Sequence, residues 1–186
     1  MSREGRIDGR RIHTGKVINL DVDHVRFPDE STGEMEMVRH PGASAVVPFL
    51  SDPAGPHPHV LLLRQYRYAT EGYLHEIPAG RLNTGESPEI CARRELLEEA
   101  GCSAQRLMFL TSIFTTPGFS DERIHLFMAT GLTRGESRHE ADEFIESVEM
   151  PLSRALELVE RGEIRDAKTA LGLLYAVAFR IGPRDL

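Results

Sequence analysis

A single well-framed helix set among strand-like runs constrains this chain more than any other feature. Residues 88–100 read as a helix that Thr84 or Ser87 can cap, with Pro88 suited to its first turn and Gly101 to its end. Short apolar runs precede it at 43–50 and 60–64, separated by a Pro/Gly-rich loop at 51–59. Further strand-like runs follow at 107–114, 124–130 and 145–150, and helical spacing returns at 152–161 and 168–179 around Gly162. Strands surrounding one central helix, with helices at the end, predict a mixed α/β or α+β sandwich. Ahead of this body, residues 6–48 are β-rich, with a run at 16–22 and a hairpin-like turn at 29–33. A boundary near Pro41-Gly42 then divides an N-terminal antiparallel β extension, residues 1–42, from a main body, residues 43–186.

The central helix carries the chemistry. At about 100° per residue, Glu95, Glu98 and Glu99 fall within an arc of about 100°, with Ile90, Ala92, Leu96, Leu97 and Ala100 opposite. Cys91 falls on the polar side, where a partly shielded thiol is expected. Three carboxylates crowded into one turn repel one another unless positive charge arrives, and Arg94 reaches Glu98 one turn on without neutralising all three. A solvated acidic helix face is the plain alternative. Hard divalent cations prefer oxygen ligands, and magnesium usually takes one or two carboxylates plus water and substrate phosphate. The net charge of −7 agrees. It disfavours a polyanion such as a nucleic acid, and an acidic protein that handles phosphates needs cations in between.

The wider spacing resolves the choice. Gly80, then Glu86, then Arg94-Glu95-Leu96, Glu98-Glu99 and Gly101-Cys102 resemble the signature of the Nudix hydrolases at every fixed position but the last, where Cys102 replaces an aliphatic residue. The resemblance implies a Nudix-type α/β/α sandwich. Glu95 and Glu99 would be the principal metal ligands, Glu98 a further one, and the carbonyl of Ala79 would often join them. Arg94 would orient the glutamates, Glu86 would support, Gly80 would let the loop turn, and Gly101 completes the motif. Magnesium, with manganese as a possible substitute, would polarise a diphosphate and lower the pKa of an attacking water.

Other segments resemble the subgroup that hydrolyses ADP-ribose. Pro117 lies sixteen residues beyond Gly101, within Pro117-Gly118-Phe119-Ser120-Asp121-Glu122. Arg64-Gln-Tyr-Arg67 ends a strand-like run, where Arg67 would meet a phosphate with Arg64 beside it. Substrate contacts are therefore expected at Arg64, Arg67, Pro117, Gly118, Phe119 and Glu122. The subgroup commonly pairs as homodimers through exchanged N-terminal segments, which is the expectation for residues 1–42. The resemblance implies a loop glutamate as general base, Glu143 or else Glu140, able to arrive when substrate closes the loop. The expected reaction is hydrolysis of ADP-ribose to AMP and ribose 5-phosphate. Alternatives are other nucleoside-diphosphate sugars, ADP- or GDP-hexose, or a Nudix protein that senses a nucleotide without cutting it. No apolar run approaches the roughly 20 residues that span a bilayer, and two cysteines without metal-ligand spacing suit a reducing setting. The expectation is thus a cytoplasmic protein with a small-molecule nucleoside diphosphate partner, away from nucleic acid and membranes.

Overall fold

The computed structural model describes residues 5–138 and 144–181. They divide into two compact units, residues 5–42 with 113–123, and residues 43–112 with 124–138 and 144–181.

The first unit is built on a three-stranded antiparallel sheet, β1 (Gly5–Thr14), β2 (Asn19–Arg26) and β3 (Thr32–Arg39), in that order. The turn between β2 and β3 falls where the sequence predicts it. Asp29 Oδ1 accepts from the Ser31 N–H at 3.1 Å, and Phe27 N–H donates to Ser31 O at 2.8 Å. Asp21 and Asp23, two apart on β2, share one face and are buried. Arg39 meets both, with Arg11 on Asp21 and Arg6 on Asp23, so that buried charge is paired.

The second unit holds a four-stranded sheet in the order β7 (Ala79–Arg81), β4 (Ala43–Pro48), β9 (Arg123–Arg134), β8 (Cys102–Phe114), in which β4 runs parallel to β9 and antiparallel to β7. A second, antiparallel sheet has the order β10 (Ile145–Pro151), β5 (His59–Arg67), β6 (Gly72–Glu76). Among the described residues, three α-helices complete the unit: α1 (Pro88–Ala100), α2 (Leu152–Glu160) and α3 (Ala167–Ala176), the last continuing into a π-helical turn, Val177–Ile181.

Val46 on β4 joins a core with Leu61, Leu63, Ala92, Leu96, Ala100 and Phe127, on the side of α1. Its neighbour Val47 faces Gly172 of α3, where any Cβ would press on the Val47 and Ile77 side chains. Successive residues of a strand point to opposite faces, so α1 and α3 cover opposite faces of the sheet. The expected α/β/α sandwich is therefore present. Strands β6 and β7, of five and three residues, are too short for alternation to announce them.

Candidate active site

Helix α1, the box helix because it carries most of the Gly80–Cys102 signature, or box, starts where its sequence says. Ser87 caps α1 by accepting from Ile90 N–H at 3.3 Å, and Gly101 ends it at φ 61°, its N–H reaching the Leu97 carbonyl. Buried Ser44 of β4 donates from its hydroxyl to the Pro88 carbonyl at 2.8 Å, tying the first turn to the sheet. β7 pairs with the same strand, Ser44 opposite Gly80 and Ala45 opposite Ala79. The two tethers bring the carboxylate side of α1 against β7.

Helix α1 is rotated from the orientation that its apolar arc predicts. Ile90 and Leu97, expected to face the core, are 59% and 45% exposed, whereas Glu95 and Glu99 are buried. The buried stripe runs through positions 91, 92, 95, 96, 99 and 100, roughly a quarter turn towards the carboxylates. Strand β7 supplies the covering layer. Ala79 N–H donates to Glu99 Oε2 at 2.8 Å, and the Cys91 thiol lies 3.4 Å from the Gly80 carbonyl. Cys91 is thus wholly buried rather than partly shielded, and burial, then the nearby Glu95 charge, pushes its thiol up to about 11. A thiol held protonated in this way is no nucleophile.

Gly80 is needed for a reason other than the expected turn. It sits in β7 outside the left-handed region, but a Cβ there would fall inside the Glu95 carboxylate. Only glycine lets β7 approach α1 this closely.

Arg94 organises the acids. Its Nε and Nη2 each donate to Glu86 at 2.9 Å, its Nη1 donates to Glu95 at 2.5 Å and Glu98 at 2.9 Å, and its Nη2 also reaches the Arg81 carbonyl at 2.9 Å. The bond from Arg94 chiefly lowers the Glu86 carboxyl to about 2, and the same bond raises Arg94 above its ordinary value. Among the described residues no three acidic, His or Cys side chains stand gathered as a metal-holding group. Arg94 draws Glu95 and Glu98 to itself, while Glu99 turns to the Ala79 N–H. The donor chemistry nonetheless fits a hard divalent ion. Three carboxylates line one side of the helix, two of them buried, beside main-chain carbonyls of β7.

Of the other expected residues, Arg67 makes a bidentate pair with buried Glu76, 2.7 and 2.8 Å long. Arg64 meets exposed Glu146 at 3.1 Å, with its guanidinium 3.8 Å over the Tyr73 ring. Pro117, Gly118, Phe119 and Glu122 belong to the first unit. There, Val38 N–H donates to Phe119 O at 2.8 Å, His40 N–H donates to Asp121 at 2.8 Å, and Thr115 Oγ1 donates to Glu122 at 2.8 Å. Glu140 and Glu143 lie outside the described residues; ahead of them, residues 135–138, which follow β9, are fastened to the box helix. Gly135 N–H meets the Gly101 carbonyl at 2.6 Å, and Arg138 N–H the otherwise spare Glu98 carbonyl at 2.7 Å. The pair of buried Glu76 with Lys168 escapes a reading by motif, because its members stand 92 residues apart.

Residues 39–171 match the NUDIX domain. An ADP-ribose pyrophosphatase of Bacillus subtilis is 41% identical over 174 residues, 92% of this chain and 91% of the relative. A methanol dehydrogenase activator of Bacillus methanolicus is 38% identical over the same shares of the two chains. A GDP-mannose pyrophosphatase of Cronobacter sakazakii is 43% identical over 125 residues, 62% of this chain and 65% of the relative. Among solved structures, an ADP compounds hydrolase superposes with a TM-score of 0.78 over 95% of this chain and 93% of its own, at 22% identity, a likeness of fold. With the motif intact on α1 and the matched span reaching from the end of β3 into α3, the chain belongs to the NUDIX family and is a Nudix hydrolase.

Proposed function

We propose that this hydrolase cleaves the diphosphate of ADP-ribose to AMP and ribose 5-phosphate, with magnesium as its ion and manganese as a substitute. The observation that carries this reading is the box, with all its glutamates kept and Glu95 and Glu99 buried on α1, in a chain 41% identical across nearly its whole length to an ADP-ribose pyrophosphatase. A divalent ion, when bound, polarises the diphosphate and lowers the pKa of an attacking water. Glu95 and Glu99 would hold it, with Glu98 and the Ala79 carbonyl as further oxygen donors. Arg94 keeps Glu86, Glu95 and Glu98 in place, through bonds supported by the geometry above. Glu143, or else Glu140, takes the proton from water. Arg67 and Arg64 bind phosphate oxygens, and Pro117, Gly118, Phe119 and Glu122 contact the rest of the substrate.

The GDP-mannose pyrophosphatase relative favours a second reading, a preference for a nucleoside-diphosphate hexose by the same chemistry. Product release from a panel of ADP-ribose, ADP-glucose and GDP-mannose with magnesium separates the two. AMP released fastest from ADP-ribose supports the first reading, and a faster hexose derivative replaces it with the second. No release with either magnesium or manganese would instead support a nucleotide-sensing protein. Residues 1–42 serve in this account as a dimer-forming extension of a hydrolase domain, 43–186, in a cytoplasmic homodimer. Light scattering of the full chain should give twice the mass of one chain, and a single-chain mass contradicts the pairing.

A further inference from the structure

A second group of charges, centred on buried Glu76, ties β5, β6 and α3 together. Glu76 ends β6 and is 1% exposed. Its carboxylate accepts from Arg67 Nε and Nη2 and, at 2.5 Å, from Lys168 Nζ. Lys168, in the first turn of α3, also meets Asp166 at 3.0 Å. Asp166 is the N-cap of that helix and accepts from both the N–H and the hydroxyl of Thr169. The next residue along from Glu76 repeats the attachment, Ile77 N–H donating to Thr169 Oγ1 at 2.8 Å. The end of β6 is therefore fastened to α3 at two consecutive residues, just ahead of Ala79 and Gly80.

Burial alone raises the Glu76 carboxyl, but Arg67 and Lys168 together bring it below its ordinary value, so it stays ionised. The Arg67 fork is fixed through Nε and Nη2, leaving Nη1 without a hydrogen-bond partner among the described residues. The fork lies close enough to α1 to feel the charge of Glu99.

We propose that Glu76 and Lys168 are positioning residues that hold the Arg67 fork with Nη1 turned out for a substrate phosphate oxygen. The proposal rests on the reading of Arg67 as a phosphate-binding residue. A free arginine samples many rotamers, and substrate would have to freeze it on binding. Here Glu76 holds the fork before substrate arrives, and Lys168 keeps Glu76 from swinging away with it. A contact made equally to substrate and transition state acts on KM and leaves kcat alone.

The test is a double-mutant cycle in the full chain with ADP-ribose and saturating magnesium. Lys168→Met should raise KM about tenfold with kcat within about twofold, and Lys168→Arg should restore most of the loss. In an Arg67→Ala background, itself raised in KM, Lys168→Met should add nothing further. If Lys168→Met does not fold, Glu76→Gln takes its place in the same cycle. Additive KM effects of the two sites, or a loss confined to kcat, would overturn the positioning role while leaving Arg67 as a phosphate ligand. An unchanged KM in Arg67→Ala alone would remove that ligand and this proposal with it.

Discussion

Arg94 contributes all three of its nitrogens and binds Glu86, Glu95 and Glu98 at once. The effect is measurable at Glu86, whose carboxyl falls from an ordinary 4.5 to about 2, first through the bond from Arg94. A carboxyl depressed on folding contributes stability that is full above its unfolded value and is lost as pH falls through its folded value. Glu76, also depressed, adds a contribution of the same sign. Stability should therefore decline between about pH 4.5 and 2. Urea unfolding at stepped pH reads that slope, and Arg94→Gln should make it shallower, since Glu86 then loses the chief cause of its depression while Glu76 keeps its own. The same slope in the variant would mean that Arg94 does not set the Glu86 titration.

The contact of β7 with α1 decides which side of the box helix is buried. A methyl on Gly80 meets the Glu95 carboxylate, so Gly80→Ala must displace either the strand or the acid. It should cost about 1–3 kcal/mol in urea unfolding, and lower turnover further than that loss of folded protein explains. Full activity in a variant of normal stability would show that β7 does not hold Glu95 in place. Much of this geometry is legible in the residues themselves. Ser87, Pro88 and Gly101 mark the ends of α1 through local capping, and the box spacing needs no structure to be read. The rotation of α1 is not legible, because the apolar pattern places Ile90 and Leu97 inside while a three-residue strand covers Glu95 and Glu99 instead. Nor is the Glu76–Lys168 pair, whose members stand 92 residues apart and meet only when α3 reaches β6. The Asp21 and Asp23 alternation on β2 did carry a signal, since acids two apart on a strand share a face, but their cations lie on β1 and β3.

Across the whole molecule, the chain distributes the proposed functions over both compact units. The box, Arg64 and Arg67 belong to one, whereas 117–122 belongs with the N-terminal sheet, joined to Val38 by main-chain bonds and to the His40 N–H through the Asp121 carboxylate. No helix among the described residues is long and apolar enough to cross a membrane. The account stands on the carboxylates of α1 as holders of the ion that activates diphosphate hydrolysis. Magnesium-dependent turnover of ADP-ribose, compared among the unaltered chain, Glu95→Gln and Glu99→Gln, tests this most directly, because each change removes one ligand charge and leaves the side-chain shape. The account predicts a loss of about 100-fold or more in each variant. Near-unaltered rates in both would contradict it and move the site elsewhere.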